Sequence, residues 1–383
     1  MDSLLGTCSL ESLRLRKSWK WTAFPDDVLP AWVAEMDFDI AEPIQAAVRD
    51  ALELGDCGYP SRIGFGEAYA DFAEKRFGWA PDAARVFPIP DVMTGIAEVI
   101  QATTSPGAGI VINPPVYPPF FFRVALAGRR VVEAPLARDT EGRYDLDLEA
   151  LDEAFASDGV AAYIFCNPHN PTGRVWSLEQ LLAVASLCDS RGVALLVDEI
   201  HAPLVLRGAR HIPFLSLDHD VTSRVHTFTS ATKGWNISGL KCGVAVTGSS
   251  ELDSVLSERW EALLAGHLGV LASIAAFIES VTWLDAVVDQ LDQNRHLLSD
   301  LLERELPEVT YVPPEASFLA WLDCRRLGLG DDPSVRFLQK GRIALSPGPD
   351  FGTQGKGFAR LNMGTSPELL EQIVRRMAVS LDH

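Results

Sequence analysis

The chain has 383 residues, 47% of them hydrophobic and 22% charged, and its 33 basic and 52 acidic residues leave a formal net charge of −19. That length is enough for two domains around a well-buried core, since a chain of this size hides about 75% of its unfolded surface. The composition excludes a disordered or low-complexity chain, and the acidity excludes a broad basic face for nucleic acid or anionic lipid.

At the N-terminus, Asp2 comes early and Arg14, Arg16 and Lys17 later, the reverse of a secretion signal, so none is expected. The stretch LRLRKSWKW mixes basic and aromatic residues as a nucleic-acid patch does. It is short and sits in an acidic chain, and it reads as an N-terminal arm packed on a dimer. Gly64-Phe65-Gly66 opens like a dinucleotide fingerprint but lacks the third glycine and a preceding strand, so a turn before the helix EAYADFAEKRF is expected. A helix starting near Thr94, Gly95 and Ile96 would offer free backbone N–H groups to a phosphate.

Between about residues 109 and 248, short β-branched runs alternate with helix-like segments. The strands are expected at GIVIN, RVVEAPL, AAYIFCN, VALLVDE, RVHTFTS and GVAVTG. Their continuous apolar character implies a largely parallel sheet covered on both faces, an α/β architecture. The apolar stretch Leu263 to Ile278 contains His267 and falls short of the roughly 20 residues a membrane span needs, so a packed core helix is expected. After about residue 280 come amphipathic helices and then strands at SFLAWLD and ARLNMG, a smaller α+β domain. The expected layout is an arm with part of the small domain over 1–45, a large domain over 46–278 and a C-terminal small domain over 279–383. Cys8, Cys57, Cys166, Cys188, Cys242 and Cys324 are dispersed, with no C-x-x-C pair and no zinc-ligand spacing, which fits a reducing, cytoplasmic setting and no metal.

In open α/β sheets, ligands sit beyond the carboxyl ends of the strands. Three residues fall there: Asn167 closes AAYIFC, Asp198 closes VALLV, and Lys233 lies just past VHTFTS. The combination has a chemical meaning. Pyridoxal 5′-phosphate (PLP) needs a lysine to form an imine and a carboxylate to keep its pyridine nitrogen protonated, and an amide can donate to its phenolate oxygen. Lys233 is one of seven lysines and sits in SATKGWNISGLKCG, where Ser230 and Thr232 could bond a phosphate and Lys241 could add a charge. Taken singly, Lys233 would read as an exposed loop lysine and Asp198 as a helix cap after a strand.

At these residues the chain resembles the fold-type I PLP enzymes of the aminotransferase class I/II superfamily, and within it the MalY/PatB-type cystathionine β-lyases. The resemblance runs nearly end to end, through LPAWVAEMDF, GYPS, NPPVYPPF, NPHNPTGRVW, DEIHAPL, SATKGWN, EASFLAWLDCR and ARLNMGTS. It implies that Lys233 forms the imine, Asp198 pairs with the pyridinium, Asn167 contacts the phenolate oxygen and Tyr117 stacks on the ring. It also implies that Arg360 clamps the substrate α-carboxylate, that Val33, Ala34 and Asn167 border the substrate, and that Tyr59 reaches a phosphate in the neighbouring subunit of a homodimer with shared active sites.

His201 speaks to the reaction. Many aminotransferases place a tyrosine three residues after the pyridinium aspartate, whereas the β-lyase group resembles the D-E-I-H found here, although a satisfied core histidine would look the same. Lys241, where the wider superfamily commonly has arginine, points the same way. Glu35, GHLG at 266–269 and Phe318 depart from the lyase pattern and leave the group on sulfur open. The expected activity is a carbon–sulfur β-lyase acting on cystathionine or another cysteine S-conjugate by α,β-elimination, with a thiol, pyruvate and ammonia as products. An aminotransferase, decarboxylating or oxidising chemistry on an S-substituted cysteine, and a PLP-loaded regulator are the competing readings.

Overall fold

The computed structural model describes residues 4–6 and 9–382. Its central sheet contains β1 (Val86–Ile89), β2 (Gly109–Ile112), β3 (Arg130–Glu133), β4 (Val160–Cys166), β5 (Ala194–Asp198), β6 (Val225–Thr229) and β7 (Gly243–Thr247). Their spatial order is β1-β7-β6-β5-β4-β2-β3. Every pair from β6 to β3 is parallel, and β7 runs antiparallel to both β6 and β1. Side chains of β4 alternate between two cores: Tyr163 and Phe165 pack with Trp176 and Leu181, while Ile164 and Cys166 pack with Ile96 and Phe120. Both faces are therefore covered, which explains the unbroken apolar runs in the sequence. β1 is the strand the sequence pattern did not reveal. It is four residues long and contains Pro88, a residue without a ladder N–H that a sheet tolerates at its edge.

Helices α1 (Glu42–Leu54), α2 (Phe65–Phe77), α3 (Val92–Thr103), α4 (Pro119–Leu126), α5 (Leu178–Arg191), α6 (His267–Glu279), α7 (Val281–Glu305) and α8 (Pro367–Val379) complete the frame. Gly64 sits at φ +77 immediately before α2, the turn expected there in place of a nucleotide loop. The apolar stretch before residue 280 forms α6, which carries seven buried residues and meets α7 at a bend of 79°. No single helix among the described residues is long and apolar enough to cross a membrane.

A second sheet, antiparallel, joins β8 (Thr310–Tyr311), β9 (Leu319–Asp323), β10 (Ser346–Pro347) and β11 (Phe358–Asn362) in the order β8-β9-β11-β10. Leu29 and Pro30 pair in parallel with Ile343 and Ala344 beside it. From there residues 31–37 form a strap fixed by side chains far away in sequence. Asn362 donates to the carbonyls of Val33 (2.8 Å) and Glu35 (2.6 Å), and Asn236 both accepts from the Met36 amide and donates to its carbonyl, each at 2.8 Å. Asn236 does this from a left-handed backbone, φ 58, a conformation asparagine tolerates better than most residues. Under the strap the buried Lys20 ammonium donates to Asp37 at 2.7 Å, so one basic residue of the arm is a core group and not a surface charge.

Candidate active site

Parallel registration brings Cys166 opposite Asp198 and Asp198 opposite Phe228, so the carboxyl ends of β4, β5 and β6 lie side by side. They open onto a cavity of about 310 Å³ whose walls include Ala34, Tyr117, Cys166, Asp198, His201, Thr232, Lys233 and Lys241. Asn167, one residue beyond Cys166, is wholly buried. The trio expected from the sequence is thus assembled at one place. Among the described residues no His, Cys, Asp or Glu cluster suited to a metal occurs.

The inner end of this cavity holds polar groups without protein partners. Asn167 accepts from the Trp176 amide at 3.3 Å, but its buried side-chain nitrogen donates to nothing. His201 is buried with Nδ1 unpaired, and burial, reinforced by Lys233 and Arg360, holds its pKa down at about 3, so the ring is neutral. Asp198 accepts one N–H, from Ile200 at 3.0 Å. Burial lifts its carboxyl to about 7 and Glu199 adds to this, against the lowering effects of the Ile200 amide and Lys233. A carboxylate so poorly solvated is completed by a cation, and an aromatic N–H⁺ is one that fits a closed site. Lys233 donates to the Ala34 carbonyl at 2.8 Å. Burial, then Arg360, bring its pKa down to about 8 while Glu35 and Asp198 hold it up, so an appreciable neutral fraction exists near neutral pH. Tyr117 stands in the wall, its hydroxyl pKa raised by burial, with its ring edge-on to Phe120 at 5.8 Å.

Arg360, on β11, is 6% exposed. Its guanidinium donates to Asn170 Oδ1 (3.2 Å), the Trp32 carbonyl (3.0 Å) and Ser346 Oγ (3.0 Å), and Nε has no partner. All three acceptors are neutral. Burial lowers its pKa to about 10, the mark of a cation held in a poorly solvated place without a counter-charge. Ala34 lines the cavity, whereas the Val33 carbonyl is turned to Asn362.

At the outer end the structure corrects the expected phosphate donors. α3 starts at Val92 with Asp91 as its cap. Thr94 N–H is bonded to Asp91 Oδ1 at 2.8 Å and Gly95 N–H to the Asp91 carbonyl at 3.0 Å, while the Ile96 side chain lies fully in the core. The amides with no acceptor within the helix are those of Val92 and Met93, two residues earlier. Ser230 is likewise engaged: its hydroxyl accepts from Thr232 N–H (3.0 Å) and donates to the Cys242 carbonyl (2.7 Å), so it shapes the turn and does not point a free donor outward. Thr232 and Lys241 do face the cavity, and Lys241 is paired with Asp91. Burial raises the Asp91 carboxyl, but Lys241 and Thr94 outweigh it and leave the carboxyl below its ordinary value. Sequence reasoning missed Asp91, Val92, Met93, Ser238, Asn170 and Arg123, all of which line the cavity. An aspartate immediately before an apolar run is a helix-cap signature, and it could have placed the helix start. Tyr59 lies outside the cavity wall, 88% exposed.

The sheet order, the lysine beyond β6 and the unpaired groups around Asp198 fit pyridoxal phosphate and define a PLP enzyme of fold type I. The chain belongs to the family described as "Aminotransferase class I and II", whose model matches residues 28–377. A protein of Mycobacterium leprae (strain TN) is 43% identical over 401 residues, covering 98% of each chain. "Cystathionine beta-lyase PatB" of Bacillus subtilis (strain 168) is 36% identical over 361 residues, covering 93% of each. Among solved structures, a PLP-bound C-S lyase from Staphylococcus hominis superposes with a TM-score of 0.91 at 25% identity, covering 100% of both chains.

Proposed function

We propose that this protein is a PLP-dependent carbon–sulfur β-lyase that cleaves cystathionine or a related cysteine S-conjugate, with water, to a thiol, pyruvate and ammonia. The observation that carries the reading is Arg360: a buried cation without a carboxylate partner, set beside a cavity that also holds a lysine with a lowered pKa and a carboxylate in need of a cation. The similarity to PatB and to the staphylococcal C-S lyase supports elimination over amine transfer. A neutral His201 in place of tyrosine after the pyridinium aspartate supports it too.

In this reading Lys233 holds the cofactor, Asp198 faces the ring nitrogen, Asn167 donates its free amide N–H to the ring oxygen and Tyr117 covers a ring face. The Val92 and Met93 amides, Thr232, Ser238 and Lys241 hold the phosphate. The bound cofactor supplies an electron sink that makes the Cα proton removable and a β-substituent able to leave. Arg360 orients the substrate by its α-carboxylate, two parallel N–H donors matching two oxygens. Lys233 would take the Cα proton, and its lowered pKa leaves its amine unprotonated often enough to do so. Ala34, from the strap, forms part of the cavity wall. We infer further that the working unit is a homodimer in which the exposed Tyr59 of one subunit serves the site of the other. The layout of 1–45, 46–278 and 279–383 as arm, large domain and small domain, and a reducing compartment, complete the proposal; the described cysteines are all free.

The test is to supply the purified holoenzyme with a panel of cysteine thioethers and measure thiol, pyruvate and ammonia in equal amounts, with no keto acid added. Lys233→Ala should lower turnover about a thousandfold or more and abolish covalent cofactor retention. Turnover only when a keto acid is present would replace the lyase by an aminotransferase. Equal turnover in Lys233→Ala would remove the central assignment.

A further inference from the structure

Three cations face the cavity: Lys233, Lys241 and Arg123. In the proposed assignment Lys233 is the cofactor amine and Lys241 lies at the phosphate end, already paired with Asp91. Arg360, which bonds the cavity-lining Asn170, takes the α-carboxylate. Arg123 is left without a task, and among the described residues it makes no ion pair and no side-chain hydrogen bond. A guanidinium stays charged at any working pH, so a lone one in the wall of a partly enclosed site is an unanswered positive charge.

Its place in the fold says which part of a substrate it would meet. Tyr117 lies two residues before α4, and its carbonyl accepts from the Phe120 amide at 3.1 Å. Phe120 and Val124 anchor α4 in the core through one face. Pro119 and Arg123, four residues apart and so one turn apart on another face, both line the cavity. The wall therefore runs from the Tyr117 ring past Pro119 to Arg123, an advance of about 6 Å along the helix. Helical side chains lean back toward the N-terminus, which directs Arg123 toward Tyr117 and not away from it. With Tyr117 over a ring face, as in the proposed assignment, a substrate side chain extending outward along this wall reaches Arg123.

We propose that Arg123 determines specificity by pairing with a carboxylate carried on the group that leaves with sulfur, so that S-(carboxyalkyl)cysteines and cystathionine-like thioethers are preferred over neutral S-alkylcysteines. The proposal rests on the lyase reading, and its test is arranged so that the two can fail separately. Wild type and Arg123→Gln are compared on S-(2-carboxyethyl)-L-cysteine and on S-propyl-L-cysteine. In Arg123→Gln, kcat/KM for the acidic thioether falls about 10- to 100-fold, mainly in KM, while the neutral one changes less than about threefold. The same comparison is made for binding with two amino acids that have no leaving group, L-2-aminopimelate and L-2-aminoheptanoate, read by the change in the cofactor absorbance of the holoenzyme. Wild type binds the acidic analogue more tightly and Arg123→Gln loses that preference, with an unchanged resting spectrum and cofactor content. Equal losses for acidic and neutral ligands, loss of cofactor in Arg123→Gln, or no change in either ligand would overturn the proposal. Discrimination in binding with no thioether cleavage by wild type would keep Arg123 as a carboxylate reader and sink the lyase reading instead.

Discussion

The two ends of the cavity are built on opposite plans. At the inner end, Asn167, His201 and Arg360 each keep a buried nitrogen without a partner, and Asp198 lacks a neutralising cation. At the outer end, the side chains are engaged and only the Val92 and Met93 amides lack an acceptor within the helix: Asp91 caps Thr94 and pairs with Lys241, and Ser230 bridges Thr232 and Cys242. Unsatisfied buried groups cost stability, and they persist where a ligand completes them. In the proposed assignment the inner end is completed by the ring and the substrate carboxylate, at the expense of the empty fold. In the same assignment the outer end exchanges an internal ion pair, Asp91 with Lys241, for a phosphate.

The sharpest way to break this contrast is to titrate the inner end without cofactor. Burial lifts the Asp198 carboxyl of the folded chain to about 7, above an ordinary carboxyl value of 3.8. A carboxyl with a raised folded pKa stabilises the fold fully below its unfolded value, and that contribution is lost as pH climbs from about 4 through 7. Relative to Asp198→Asn, the cofactor-free wild type should lose roughly 4 kcal/mol of stability across that window. Thermal melts of both apoproteins from pH 4 to 8 measure it, and a constant difference would remove Asp198 as a desolvated site. Cofactor should restore wild type and not the variant, because only the carboxylate gains a charged ring partner.

Arg360 gives the next largest effect. Arg360→Lys keeps the charge but replaces a planar fork by a point donor, so KM for any amino-acid substrate should rise about 10- to 100-fold while cofactor content stays unchanged. An effect confined to kcat would place Arg360 elsewhere in the mechanism. Replacement by methionine should also make the cofactor-free protein more stable, since a buried cation without a counter-charge is removed.

The contrast also explains what could be read from the sequence. Asn167 and Asp198 stand where long apolar runs stop, and a strand end is a local event visible in one segment. The same is true of Lys233 among its small neighbours. β1 is hidden because Pro88 breaks its pattern, and the free amides that open α3 lie two residues before the expected ones because Asp91 is the cap. Arg123 depends on the phase of an eight-residue helix, too short to fix by periodicity. The strap is the least readable part, for Asn236 meets Met36 across 200 residues of sequence. Only the closed fold brings such side chains together.

Asp91 offers the smallest and most discriminating test of the outer end. Its carboxylate lines the place where a phosphate dianion would sit, and it already holds Lys241, so binding pits two anions against one ammonium. Asp91→Asn keeps an N-cap, because asparagine caps as well as aspartate does, and removes only the charge. Cofactor should then bind about three- to tenfold more tightly, as expected for relief of one partly screened like-charge contact. The bound phosphate, whose second ionisation lies near pH 6 when free, should also hold its dianionic form to lower pH in the variant, readable by phosphorus NMR of the holoenzyme. Weaker binding in Asp91→Asn would mean that the Asp91–Lys241 pair positions the lysine for the phosphate and does not compete for it. The two ends of the cavity would then differ in polar satisfaction alone and not in their readiness to receive the cofactor.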